Sequence, residues 1–296
     1  MASRRGPLRN RLELAAYLVM RSFFRALPVR LADGLGRRAG LLYRLLDARR
    51  RRLVRGNLAL AFPERTPAEI DALAREVFAH FGGLAADLLR SETEPVEELL
   101  SRVEVLGIEH ARAAAASGRG VFFATPHLGN WEWASIVTGA YGIPVTVVAR
   151  PLDNPLLDAR LTAMREKTGC RVVSKRDAAR VLLKTLRSGG LVGILADQRA
   201  RPPDAVVVPF FGRPAATTSS IARLVAKTGA LVLPAVCLRT GPGRYRYVFS
   251  EPFDAMLLPP EEREVEPLTA RLTALVESQV RQAPGQWLWL HDRWRL

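Results

Sequence analysis

From Val103 onward, short apolar runs alternate with longer amphipathic stretches, and this alternation constrains the fold more than any other feature of the sequence. Glycine or proline stands at most of the junctions. The candidate strands are residues 121–125, 145–149, 191–196 and 231–236, and the candidate helices are residues 132–141, 156–168, 177–188 and 219–228. Strands that alternate with helices are typical of an α/β layer fold. We therefore predict an α/β core over residues 101–296, with a mixed, largely buried sheet flanked by helices.

The first 100 residues have a helical pattern instead. Residues 12–27 combine bulky apolar side chains with Arg21 and Arg25 on another side, which is typical of an amphipathic helix. The two arginines interrupt the apolar stretch, whereas a transmembrane helix needs about 20 uninterrupted apolar residues. Such a helix either lies in a membrane interface or packs on its own domain. We expect residues 1–100 to form an N-terminal helical, membrane-associating region, with the whole chain as one compact domain.

The chain is strongly basic, with 44 lysines and arginines against 29 acidic residues and a formal net charge of +15. Such an excess attracts anionic lipid headgroups, acidic proteins or nucleic acids. Residues 49–52 and Arg55 form an arginine run, which is either a solvated helix face or a surface that binds headgroups. Motifs typical of nucleic-acid-binding proteins are lacking, so we expect an anionic membrane surface as a partner and no nucleic acid.

A histidine follows the first predicted core strand directly, in the segment TPHLGNWE over residues 125–132. Ligands of α/β folds bind beyond the carboxyl ends of the strands, so His127 lies where catalytic groups are usually placed. If His127 lies in the loop and Glu132 in the first turns of the next helix, Glu132 can accept a hydrogen bond from one ring nitrogen. The other nitrogen is then available as a base. We predict that His127 and Glu132 form a catalytic pair, and the alternative is a polar loop without catalytic function.

Several further segments follow one another along nearly the whole chain. They are RGNLALAFPE at 55–64, RPLDNPLLD at 150–158, the Asp-Gln pair at 197–198, VPFFGRPAAT at 208–217 and QWLWLHDRW at 286–294. Together with the His-x4-Glu segment, they make the chain resemble the bacterial lipid A late acyltransferase family, also called the lauroyl/myristoyl acyltransferases. The resemblance implies a glycerolipid-acyltransferase-like fold.

The resemblance also implies roles for single residues. His127 would be the general base and Glu132 the group that orients it, while Arg165 and Asp197 match positions of functional importance. We interpret Arg165 as a group that binds phosphate or stabilises an oxyanion, and Asp197 as the partner of that arginine or of a substrate group. The alternative is a structural salt bridge, for example between the two.

Two more residues, both in the RPLDNPLLD segment, are candidates for substrate binding. Arg150 and Asn154 follow a predicted strand and could line the cleft. An Asp/Asn-Pro turn whose side chains cap the helix that starts near Pro155 is the alternative.

The activity implied by the resemblance is acyl transfer from a thioester, on acyl carrier protein or coenzyme A, to a hydroxyl of a membrane glycolipid. We expect a lipid A precursor as the acceptor, no cofactor, no metal, and a location at the cytoplasmic face of the bacterial inner membrane. Arg199 stands where many relatives carry a second acidic residue, which points to another acceptor or subfamily. The alternatives are a lysophospholipid or phosphatidylinositol-mannoside-type acyltransferase, a thioesterase with the same pair, and a basic membrane-binding protein without activity.

Overall fold

The N-terminal part of the chain is a set of helices. The computed structural model describes residues 6–174, 178–195 and 197–295. The helices of this part are α1 (Pro7–Ala26), α2 (Val29–Leu46), α3 (Ala48–Ala61), α4 (Pro67–Ser91) and α5 (Val96–Leu100). Within the described ranges, no helix is long and apolar enough to cross a bilayer.

The rest of the chain forms a sheet with helices on both sides. The strands of this part of the chain are β1 (Val103–Leu106), β2 (Val121–Thr125), β3 (Thr146–Ala149), β4 (Arg171–Ser174), β5 (Leu191–Leu195), β6 (Ala205–Phe210), β7 (Arg213–Thr218), β8 (Leu231–Gly241) and β9 (Arg244–Phe249). Its helices are α6 (Ile108–Ala116), α7 (Trp131–Ala140), α8 (Pro155–Glu166), α9 (Ala178–Arg187), α10 (Ser220–Thr228) and α11 (Val265–Gln282).

Seven strands form one sheet in the order β1-β9-β8-β2-β5-β3-β4. Neighbours in this order are parallel except β8 and β9, which are antiparallel. Strands β6 and β7 form a separate antiparallel hairpin. The prediction of a mixed, largely buried α/β sheet is confirmed. The predicted helix 177–188 begins at Asp177 and the predicted strand 191–196 ends at Ala196, and these two residues lie outside the described residues.

The central strand β2 shows why an uninterrupted apolar run forms a strand here. Phe123 packs on one face of the sheet with the core that contains Trp133 of α7. Phe122 and Ala124 pack on the other face with residues of α9 and α10. A parallel strand that is covered on both faces has no side exposed to water, so apolar residues are favoured at every position.

Buried polar contacts join the N-terminal helices to the sheet. Arg239 of β8 forms ion pairs with Asp33 of α2 and Asp87 of α4, and all three side chains are almost completely buried. Within the helical part, Arg90 of α4 donates to the carbonyl oxygen of Phe24 at 2.6 Å and so joins α4 to the end of α1. The N-terminal helices and the sheet therefore pack against each other through specific contacts.

Candidate active site

The candidate site is built around His127, two residues after the end of β2. Nδ1 of its ring lies 2.7 Å from Oδ1 of Asp197. Its backbone N–H donates to Oδ2 of the same carboxylate at 2.8 Å. Nε2 lies 3.4 Å from the amide nitrogen of Gln198, which can only donate. Both contacts favour the tautomer in which Nδ1 carries the proton and Nε2 carries the lone pair of a base.

The order of strands explains why these two residues meet. Strands β2 and β5 are neighbours and parallel, and Thr125 at the end of β2 is in register with Leu195 at the end of β5. His127 and Asp197 each follow two residues after those positions. Because parallel neighbours end at the same edge of a sheet, the two loops converge there.

The prediction that Glu132 accepts a hydrogen bond from His127 is wrong, because the carboxylate at Nδ1 of His127 is that of Asp197. Glu132 lies in the first turn of α7, as expected, and accepts from Nε and Nη2 of Arg165 at 2.7 Å each. This is a bidentate, mostly buried ion pair between α7 and α8. The side chain of Asn130 caps α7 by accepting from Trp133 N at 3.3 Å, which sets the start of the helix and the direction of Glu132.

The interpretation that Asp197 pairs with Arg165, either for function or as a structural salt bridge, is wrong. Asp197 binds His127, and Arg165 binds Glu132. The four predicted residues thus form two ion pairs, and the charge of Glu132 acts on the ring of His127 as well. The structure brings all four to one edge of the sheet in a pairing that the sequence spacing did not indicate.

Burial and charge compete at the histidine. Burial alone would lower the pKa of His127, but the adjacent carboxylate of Asp197 and the charge of Glu132 outweigh it, and the pKa is raised above its ordinary value. Burial would likewise raise the pKa of Asp197, but its contacts with His127 and with Trp287 outweigh burial and lower that pKa. The result is an ionised carboxylate beside a ring with increased basicity.

Arg150 and Asn154 lie near the start of α8. The side chain of Arg150 is 80% exposed and lies 3.7 Å from Asp153. Asn154 is buried and caps α8 by accepting from Leu156 N at 3.0 Å. Its amide nitrogen donates to the Asn10 carbonyl and to Glu13 of α1, each at 3.0 Å. The capping alternative therefore describes a contact that Asn154 makes, and substrate binding by either residue stays a prediction.

The C-terminal segment, residues 286–294, also reaches the site, and sequence reasoning assigned it no role there. Nε1 of Trp287 donates to Oδ2 of Asp197 at 2.7 Å. The backbone N–H of Leu288 donates to the carbonyl of His127 at 3.1 Å, and Gly129 N donates to the carbonyl of Gln286 at 3.1 Å. The density of tryptophans in this segment was the signal that could have indicated a buried role.

A small cavity of about 30 Å³ adjoins Asp197 on the side of α10 and α11. Its walls are mainly apolar, with Phe122, Ile194, Ile221 and Leu272 among them. A space of this size holds about one water molecule and does not hold an acyl chain.

Comparison with known proteins supplies an independent finding. The sequence profile of the family described as "Bacterial lipid A biosynthesis acyltransferase" matches residues 8–296. The "Lipid A biosynthesis lauroyltransferase" of Escherichia coli is 30% identical over 271 residues, which cover 90% of this chain and 84% of that protein. The "Phosphatidylinositol mannoside acyltransferase" of Mycolicibacterium smegmatis is 28% identical, over 99% of this chain and 94% of that protein.

A solved structure also aligns with most of this chain. It is the 1-acyl-sn-glycerophosphate acyltransferase PlsC from Thermotoga maritima, with a TM-score of 0.40, 15% identity, and coverage of 93% of this chain and 97% of that one.

Proposed function

The chain belongs to the bacterial lipid A biosynthesis acyltransferase family and is an acyltransferase, and we propose that it moves a fatty acyl chain from a thioester to a hydroxyl of a lipid A precursor. The donor would be acyl carrier protein or acyl-coenzyme A. The observation that carries the proposal is the contact between Nδ1 of His127 and Asp197 at the carboxyl ends of β2 and β5. This arrangement leaves Nε2 as a base at the place where α/β folds bind their ligands.

The reaction would be a direct transfer. Nε2 of His127 takes the proton of the acceptor hydroxyl while the hydroxyl oxygen attacks the carbonyl carbon of the thioester. The tetrahedral oxyanion then collapses, the bond from carbon to sulfur breaks, and the leaving thiolate takes the proton from Nε2. Asp197 stabilises the imidazolium that exists between these two proton transfers.

An acyl-enzyme on cysteine is not needed for this chemistry. Cys170 and Cys237 are buried, and burial raises the pKa of both thiols. A thiol that stays protonated is a poor nucleophile. These observations support the acceptor hydroxyl as the nucleophile.

Arg165 is the candidate for binding negative charge on the substrate. Its contact with Glu132 uses Nε and Nη2, so Nη1 remains outside that pair. A guanidinium fixed on one side by a carboxylate is positioned for a phosphate oxygen or for the oxyanion on the other. Glu132 would then serve the reaction by holding Arg165 and by raising the basicity of His127.

The test is an assay with a labelled acyl thioester that separates acylated lipid from free fatty acid. We expect acylated lipid from the wild type and none from His127→Ala. Free fatty acid as the main product would show a thioesterase instead. Vesicle binding without any turnover by the wild type would favour a basic membrane-binding protein.

One observation favours a second acceptor. The alignment with the phosphatidylinositol mannoside acyltransferase extends over 99% of this chain, against 90% for the lauroyltransferase. A phosphatidylinositol-mannoside-type acceptor is therefore the second candidate, to be compared with a lipid A precursor in the same assay. Mass spectrometry of membrane lipids with and without the gene identifies the acceptor and the acyl group together.

The N-terminal helices support a further proposal, binding to an anionic membrane surface at the cytoplasmic face of the inner membrane. Leu8, Leu12, Val19 and Phe23 follow one exposed side of α1. Leu42, Leu45 and Leu46 at the end of α2 are exposed beside the arginine run of residues 49–52. Apolar side chains that insert among headgroups, next to cations that bind phosphate, suit such a surface.

Sedimentation with vesicles measures this second proposal. We expect binding to vesicles with anionic lipid, and weaker binding when Leu12 and Phe23 are replaced by Ser. Equal binding by the wild type and this variant would show that α1 does not contribute to membrane binding.

A further inference from the structure

The carboxylate of Asp197 is held by three donors, and one of them comes from the C-terminal segment. Oδ1 faces Nδ1 of His127. Oδ2 accepts from the backbone N–H of His127 at 2.8 Å and from Nε1 of Trp287 at 2.7 Å. Asp197 is only 3% exposed, so protein donors must replace most of the water that would solvate its charge.

The indole that donates to Asp197 is itself fixed in place. Trp287 is 1% exposed and packs edge to face against Trp289, with ring centroids 4.6 Å apart, and against Phe210 at 5.5 Å. Its backbone pairs with Leu128, the residue that follows His127. The neighbouring Gln286 side chain donates to the carbonyl of Arg239 at 2.9 Å and accepts from its N–H at 2.8 Å. The indole N–H therefore has little freedom to move away from the carboxylate.

We propose that Trp287 is a positioning residue for acyl transfer, whose indole N–H holds Asp197 so that Oδ1 stays directed at Nδ1 of His127. This inference rests on the proposed function, in which His127 is the base. Without Trp287, the contacts described for the carboxylate are the two from His127, its backbone N–H at Oδ2 and its ring Nδ1 at Oδ1. The indole adds a second donor on Oδ2 from a distant part of the chain. This donor restricts rotation of the carboxylate, and a fixed Oδ1 keeps the proton on Nδ1 and the lone pair on Nε2.

The experiment compares Trp287→Phe with Trp289→Phe. Trp289 is a matched control, because it is also fully buried, belongs to the same aromatic cluster, and donates its N–H to a protein oxygen, the carbonyl of Pro284 at 2.6 Å. Both variants lose an indole ring and one hydrogen bond, but only the first loses a contact with Asp197.

We expect Trp287→Phe to lower kcat about ten- to hundredfold, the loss typical of one hydrogen bond to a charged group, with KM for the thioester nearly unchanged. The pKa of His127 in this variant, read from its ring nitrogens by NMR titration, should shift by about half a unit or more. In Trp289→Phe, kcat should stay within about threefold of the wild-type value, and the pKa of His127 should be that of the wild type. Assignment of the resonances uses His127→Ala, since the chain has 4 histidines.

Three results would overturn the inference: wild-type kcat in Trp287→Phe, equal losses in the two variants, or a loss of kcat with an unshifted pKa. If Trp287→Phe fails to fold, 3-benzothienyl-alanine at position 287 replaces the N–H by sulfur and keeps the shape of the ring, and the same outcomes apply. The NMR titration needs no substrate. If the pKa of His127 shifts in Trp287→Phe but the wild type transfers no acyl chain, the proposed function is wrong. The positioning of Asp197 by Trp287 is then still supported.

Discussion

Replacing Asp197 by Asn tests the central pairing of the site, because the structure dictates how the amide would be oriented. The Oδ2 position receives two donors, the backbone N–H of His127 and Nε1 of Trp287. An acceptor must stay there, so the oxygen of Asn takes that position and its NH2 group faces Nδ1 of His127. The amide then donates to Nδ1 and forces the ring proton onto Nε2. In that tautomer the ring cannot act as the base.

The size of the effect follows from the charge that is lost. The imidazolium and the carboxylate face each other at 2.7 Å. At an effective dielectric constant of about 20, their attraction amounts to about 6 kcal/mol. Each 1.36 kcal/mol corresponds to about a factor of ten in rate, so the substitution should lower kcat by about four orders of magnitude. The same substitution in a Ser-His-Asp triad costs about 10⁴ in kcat.

The assay is steady-state transfer from a labelled thioester, with circular dichroism to show that Asp197→Asn is folded. We expect kcat to fall and KM to stay within a few fold. Glu132→Gln is the comparison, because it keeps an acceptor for Arg165 and leaves the tautomer of His127 intact. It should lower kcat about ten- to hundredfold, as expected from weakening a bidentate ion pair. Asp197→Asn with more than about a tenth of wild-type kcat would refute the reasoning and return Glu132 to the role of orienting group.

Three further predictions concern pH and stability. The acid limb of kcat/KM should lie above the ordinary imidazole pKa of 6.5, because Asp197 raises the pKa of His127 against the effect of burial and only the neutral ring is a base; a limb at or below that value would contradict the assignment. Burial lowers the pKa of His80 to about 3, so the unfolded chain binds a proton that the folded chain does not, and stability should fall as pH drops below about 6.5. The contribution of His80 to this loss at pH 5 is about 2 kcal/mol, and chemical denaturation at pH 7 and 5 should show a smaller loss in His80→Leu than in the wild type; equal losses would contradict this role of His80. Asn154→Ala should cost about 1–3 kcal/mol of unfolding free energy and speed proteolysis of α1, since it removes a helix cap and two contacts with that helix; unchanged cleavage of α1 would show that those contacts do not hold it.

Local sequence pattern was sufficient for much of the fold. The apolar run of residues 121–125 indicated a buried strand, and β2 has those bounds. The residues that follow it indicated a loop and then a helix, and α7 begins at Trp131. Periodicity and burial are properties of neighbouring residues, so one segment is enough to determine them. Because ligands of α/β folds bind at strand ends, the position of His127 directly after this strand was enough to predict that it lies in the site.

The tertiary structure decided which carboxylate serves that histidine. Glu132 is five residues away in sequence, yet the start of α7 directs it to Arg165, 33 positions further on. Asp197 is 70 positions from His127, and it reaches the ring because β5 lies beside β2 in the sheet. Trp287 comes from still further along the chain and completes the contacts of Asp197. Strand order and the path of the C-terminal segment depend on packing between distant parts of the chain, and no local spacing encodes them. The sequence by itself therefore indicated His127 as the candidate base, and only the packed sheet determined its partners.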